Sequence, residues 1–111
     1  MADCVFCKIA SREIPAELLY EDQDVVAFED GAPQAPFHAL VIPRTHVANM
    51  FELRDEKIGG RLLEVVRKVA SDAGHGGAFR VVINSGGAVG QSVRHLHVHV
   101  LAGRHFGWPP G

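Results

Sequence analysis

Three of the chain's seven histidines fall within the run His95-Leu96-His97-Val98-His99-Val100, in strict alternation with Leu and Val. On an extended strand alternate side chains point to opposite faces. His95, His97 and His99 are therefore expected to line one face at a repeat of roughly 7 Å, with Leu96, Val98 and Val100 packing the other. Near neutral pH an imidazole serves as nucleophile, general base or metal ligand. Three in such alternation read as a site rather than a polar strand face.

Two other stretches could work with that face. Cys4-Val5-Phe6-Cys7 has a spacing that lets two thiolates share one metal ion, and two histidines would complete a closed tetrahedral zinc site. The same spacing also suits a redox pair, although without the βαβ setting that reading prefers, or two incidental thiols. The loop Ser85-Gly86-Gly87-Ala88-Val89-Gly90-Gln91-Ser92 lies immediately before the histidines. Its glycines permit backbone conformations that aim N–H groups at an oxyanion, and Gln91 and Ser92 add side-chain donors. A phosphate beside a nucleophilic imidazole points to phosphoryl or nucleotidyl transfer.

The elements that must position these residues are legible in outline. A short helical turn is expected over Lys8–Arg12, ended by Pro15. Leu18–Tyr20 and Val25–Phe28 read as a hairpin across the polar turn Glu21-Asp22-Gln23-Asp24. His38–Ile42 is a third strand, closed by Pro43. Between Asp55 and Ala73 the apolar residues Ile58, Leu62, Val65, Val66 and Val69 recur at helical spacing. Gly59-Gly60 weakens its first turns and Gly74 is a natural stop. Phe79–Asn84 is a strand, and Val93 begins the histidine strand. The tail Trp108-Pro109-Pro110-Gly111 suits neither helix nor central strand. One α+β domain over residues 1–111 follows, an antiparallel five-stranded sheet with one main helix and a short N-terminal one.

Composition narrows the function classes. A net charge of −2 without a Lys/Arg run argues against a dedicated nucleic-acid binder. No apolar run approaches the ~20 residues a membrane span needs. Met1-Ala2-Asp3-Cys4 lacks the basic-then-apolar pattern of a secretory signal, so a cytoplasmic protein with reduced cysteines is expected.

The run His95-Leu96-His97-Val98-His99-Val100-Leu101 resembles the histidine-triad motif. The resemblance extends through Cys4-Val5-Phe6-Cys7-Lys8-Ile9, Glu13-Ile14-Pro15, Ala27-Phe28-Glu29-Asp30, His38-Ala39-Leu40-Val41-Ile42-Pro43 and Gly90-Gln91-Ser92-Val93. The ending Trp108-Pro109-Pro110-Gly111 is similar to that of the histidine-triad nucleotide-binding branch, the purine nucleoside phosphoramidases. This implies that His97 attacks the α-phosphorus of an adenosine or guanosine 5′-phosphoramidate to give a covalent nucleotidyl-imidazole, which water hydrolyses. Ser92 would help protonate the leaving amine. His99 and the Gly90-Gln91-Ser92 amides would hold phosphate oxygens, and His38 would orient the nucleophile.

For the nucleoside the resemblance implies that Asp30 receives the ribose hydroxyls, that Phe6, Ile14 and Phe28 flank the purine, and that Asn84 contacts the ribose–phosphate side. Gly31 departs from the family, where a bulkier apolar residue follows this Asp; the purine is then less tightly packed there. The resemblance also implies a structural zinc site of Cys4, Cys7, His46 and His95, which would not activate water. His75 and His105 read as surface residues. A two-fold homodimer is implied, its interface including the tail from about residue 102 to 111, with Trp108 near the partner's active site. A sister branch with the same triad hydrolyses dinucleoside polyphosphates, and a nucleotide-binding regulator with little catalysis is a further reading. A zinc-stabilised nucleic-acid module fits the charge balance least well.

Overall fold

Two apolar clusters on opposite faces of one sheet hold the chain together. The computed structural model describes residues 3–111; the part of the signal-peptide reading that concerns Met1 and Ala2 lies outside them. Helix α1 (Val5–Ala10) precedes the hairpin β1 (Leu18–Glu21) and β2 (Val25–Glu29), then β3 (Phe37–Pro43), helix α2 (Glu56–Asp72), β4 (Arg80–Val82) and β5 (Val98–Ala102). The strands form one five-stranded antiparallel sheet in the order β1-β2-β3-β5-β4. No helix among the described residues is long and apolar enough to cross a membrane.

The period of two in the strands sorts the side chains. Val25, Ala27, Ala39, Val41, Val98 and Val100 face α2, meeting its Leu62, Val65, Val66, Val69 and Ala70 in the larger cluster. Val26, Phe28, Leu40 and Ile42 face the other way, against Phe6 and Ala10 of α1. In the β3–β5 register Leu40 lies opposite His99 and His38 opposite Leu101, so both histidines share the α1 face. The expected alternation at the histidines holds, with Leu96, Val98 and Val100 all buried in the α2 cluster.

Helix α2 has sharp ends. The Asp55 carboxylate accepts the N–H groups of Lys57 and Ile58 at 2.9 and 3.3 Å, which contributes about 1 kcal/mol. At the other end Gly74 sits at φ +83°. The His75 N–H reaches the Ala70 carbonyl and the Gly74 N–H that of Ser71, the paired closure a left-handed residue permits.

Three elements differ from the sequence expectation by more than one residue at an end. The first helix starts earlier, at Val5, because the Cys4 sulfur caps it by accepting the Cys7 N–H at 3.3 Å. It stops before Pro15 acts: Arg12 turns left-handed at φ 65°, and the Glu13 N–H returns to the Lys8 carbonyl. The last strand begins at Val98 rather than Val93. His95 to His97 precede the β5 ladder, His95 in a bend, with the Leu96 N–H donating to the Val47 carbonyl. The strand after α2 shortens to Arg80–Val82.

Candidate active site

The histidine face resolves into three different environments once each ring nitrogen is followed to its partner. His97 is buried, and its Nδ1 lies 2.7 Å from the His95 carbonyl. A carbonyl only accepts, so Nδ1 carries the proton and Nε2 keeps a free lone pair. His38 is buried too; its Nδ1 accepts the Gln34 N–H at 3.0 Å, which puts its proton on Nε2. That nitrogen stands 2.9 Å from His99 Nδ1 and 3.4 Å from Asp30 Oδ2. His99 Nδ1 is therefore an acceptor, and His99 presents an Nε2–H donor.

The electrostatics agree with this assignment. Burial, followed by the neighbouring His97 and His38, pushes the His99 imidazole down to about 4, against a smaller opposing pull from Asp30. Burial likewise lowers His38, again against Asp30. Both rings are neutral near pH 7, as directional donors and acceptors must be. Phe6 fixes the arrangement from the α1 side, with its ring edge-on to His97 at 5.1 Å and to Phe28 at 5.5 Å.

His97 and His99 open into a cleft of about 470 Å³ whose apolar lining includes Phe6, Ile9, Ala16, Phe28, Leu40 and Val93, with Glu17, Glu29, Asp30 and Ser92 as its other polar residues and Gly31 beside them. An apolar slot with a few convergent polar groups is the usual form of a small-molecule site. The sequence does not mark Ile9, Ala16, Leu40 and Val93 as cleft residues; they belong to the smaller apolar cluster, which only the folded chain assembles. A Cβ at Gly31 would meet nothing within 4 Å, so the expected looseness on that side is real space.

Other expected residues fall elsewhere. Ile14 is half-buried but does not line the cleft, and Asn84 faces the loop, its amide 3.7 Å from where a Gly90 Cβ would stand. The Gly90 and Gln91 N–H groups are turned inward, to the carbonyls of Gly87 and Gly86. The Gln91 side chain is also engaged, its oxygen accepting the Gly86 N–H and its nitrogen donating to Ala48 and Val93 carbonyls. Gln91 thus holds the loop in shape, and Ser92 is the exposed hydroxyl that the loop presents. Trp108 is 83% exposed, away from this cleft. His105 is exposed as expected, whereas His75 is half-buried against Phe37, ring centroids 5.5 Å apart.

Beside the cleft, Cys4, Cys7, His46 and His95 bring one ligand atom each within 4.8 Å of one another. His95 Nδ1 lies 3.3 Å from Cys4 Sγ and 3.5 Å from Cys7 Sγ, and His46 Nδ1 lies 3.4 Å from Cys7 Sγ. Ligand bonds of 2.0–2.3 Å in a tetrahedron set such atoms roughly 3.5 Å apart, so the four residues fit a small divalent ion. His95 Nε2 donates to the Pro43 carbonyl at 2.9 Å, which turns the Nδ1 lone pair toward the sulfurs.

A family model described as HIT domain matches residues 11–106. An uncharacterized HIT-like protein of Synechococcus elongatus is 50% identical over 111 residues, covering 98% of this chain and 97% of that protein. Among solved structures, a HIT family hydrolase from Legionella pneumophila superposes with a TM-score of 0.94 at 41% identity, over 98% of this chain and all of that one. A histidine triad nucleotide-binding protein from Candida albicans superposes with a TM-score of 0.86 at 30% identity, over 96% and 83% of the two chains.

Proposed function

The chain belongs to the HIT domain family, and from that premise we propose that it is a purine nucleoside phosphoramidase with a covalent nucleotidyl-histidine intermediate. The observation that carries the reading is the free Nε2 of His97, fixed by the 2.7 Å bond from Nδ1 to the His95 carbonyl and facing an apolar cleft. An unprotonated, oriented imidazole is a good nucleophile at phosphorus and later a competent leaving group.

Phe6 and Phe28 flank the purine, Asp30 accepts the ribose hydroxyls, and the α-phosphate lies between His97 and Ser92. His97 Nε2 forms a bond to phosphorus as the P–N bond breaks. The electron pair stays on the departing nitrogen, which leaves as amine after taking a proton from the Ser92 hydroxyl, itself resupplied by solvent water at the open cleft. The His99 Nε2–H holds a phosphate oxygen whose charge grows in the transition state, and His38 keeps that donor aimed by bonding His99 Nδ1. Water then forms a P–O bond as the P–Nε2 bond breaks, giving up its proton to solvent, which releases nucleoside monophosphate and restores neutral His97.

The fit of Cys4, Cys7, His46 and His95 to tetrahedral geometry supports zinc as the ion. All four positions would be protein ligands, so the ion ties α1 to the segment before β5 and takes no part in the reaction. Free β4 at the sheet edge supports a homodimer.

The test is turnover of an adenosine 5′-phosphoramidate by wild type and His97→Ala. We expect a loss of at least ~10³-fold in the variant and a trapped nucleotidyl adduct on His97 in rapid-quench samples of wild type. Equal rates in the two proteins would sink the mechanism.

A further inference from the structure

Ser92 lines the cleft that holds His97. That residue also lines a second cleft of about 420 Å³, with Cys4, Val5, His46, Val93 and Asp3, and a third of about 190 Å³, with Ala48, Asn49, Gly86, Gly87 and Gln91. Arg94 lines both side clefts and not the main one. It is the only Arg or Lys lining any of the three. It is exposed and makes no ion pair or side-chain hydrogen bond with another described residue; the Asp3 carboxylate in the second cleft is beyond 4 Å, and the third cleft holds no acidic residue.

We propose that Arg94 sets leaving-group specificity, and that the preferred leaving amine carries a carboxylate, as an amino acid joined to phosphorus through its nitrogen does. The proposal rests on the phosphoramidase reading above. In an in-line displacement the leaving atom departs on the side of phosphorus away from the attacking nitrogen. The nucleoside occupies the apolar end among Phe6, Phe28 and Leu40, so the leaving group is directed past Ser92 into the space Arg94 borders. A guanidinium there has no protein anion to satisfy it, and its planar fork matches a carboxylate in bidentate fashion. Arg94 does not border the main cleft, which separates its role from holding the transferred phosphate.

Adenosine 5′-phosphoramidates of alanine and of alaninamide differ only in carboxylate against neutral amide at the leaving group. The readout is the ratio of their kcat/KM values within one protein. Wild type is expected to favour the carboxylate about fivefold, Arg94→Gln to bring the ratio near one, and Arg94→Glu to invert it. Ratios that match in wild type and Arg94→Gln overturn the proposal, and this includes the case where the variant slows both compounds alike, which would place Arg94 on the transferred phosphate. Diadenosine triphosphate is the third arm: if Arg94→Gln loses more on it than on the alanine compound, the anion recognised is a phosphate and the carboxylate assignment falls. Absence of turnover of either phosphoramidate would sink the phosphoramidase reading alone. The affinities of the same two compounds, by calorimetry on wild type and Arg94→Gln, give the same ratio without turnover and decide Arg94 separately.

Discussion

His95 and His97 differ by what their second nitrogen touches, although only Leu96 separates them. His95 gives Nε2–H to the Pro43 carbonyl and turns Nδ1 to the cysteines. His97 gives Nδ1–H to the His95 carbonyl and turns Nε2 to the cleft. A backbone carbonyl survives substitution of its side chain, so His95→Ala keeps the acceptor that orients His97 while removing a proposed metal ligand and a buried hydrogen bond. We expect His95→Ala to purify with well under one zinc per chain and to lose about 2 kcal/mol or more of stability. Its turnover loss should stay far smaller than that of His97→Ala, which should keep its metal. Metal analysis, thermal unfolding and phosphoramidate turnover on the two variants check this; parallel behaviour in all three would refute the division of labour.

Elements are tied to each other by polar groups as much as by the two apolar clusters. Asp22, in the β1–β2 turn, accepts the N–H groups of Asp24 and Val25 with one oxygen, and the Tyr20 hydroxyl and Arg61 of α2 with the other. Burial alone would raise its pKa, but the Asp24 N–H, the Arg61 guanidinium, the Tyr20 hydroxyl and the Val25 N–H together hold it well below the usual carboxylate range. A folded pKa below the unfolded one means the stabilisation is present above about pH 4 and is lost as pH falls through the folded value. The carboxylate is 24% exposed, so Asp22→Asn is expected to cost about 1–2 kcal/mol at pH 7. The gap between wild type and variant should narrow as pH drops below 4. Urea unfolding at a series of pH values reads it, and a pH-independent gap would contradict the assignment. Arg44 ties further elements together, reaching the Asp22 and Ala10 carbonyls and Glu21. None of these pairings is visible in sequence, because their partners are set by tertiary contact rather than by local spacing. The strand alternation, the α2 stripe with its Asp55 and Gly74 ends, and the cluster of His and Cys types were legible because each depends on period or residue chemistry. The engagement of Gln91 and the left-handed Arg12 were not, since nothing in their neighbours distinguishes them from a free donor or an ordinary helix end.

At the scale of the molecule the sheet has two edges, β1 and β4, and the second of them carries exposed apolar surface beside it. Strand β4 pairs only with β5 and is three residues long; Val81 is 38% exposed. Next to it runs an apolar groove of about 180 Å³ lined by Met50, Leu53, Leu62, Leu63, Ile83 and Val98, and Met50, Phe51 and Leu63 are exposed at or near its rim. An unpaired edge beside exposed apolar side chains is a liability in a monomer. A second copy related by a two-fold axis would cover both features at once, with β4 meeting its counterpart and the same patch meeting itself, as an isologous interface requires. The β4 edge and its apolar surroundings thus support the proposed dimer beside the resemblance of the tail. Light scattering on the wild type should give twice the chain mass. Val81→Lys would set two like charges close to the axis and should shift the protein to monomer at micromolar concentration, with its far-ultraviolet circular dichroism retained. A wild type that runs as a monomer, or a Val81→Lys dimer as tight as the original, would place the interface elsewhere.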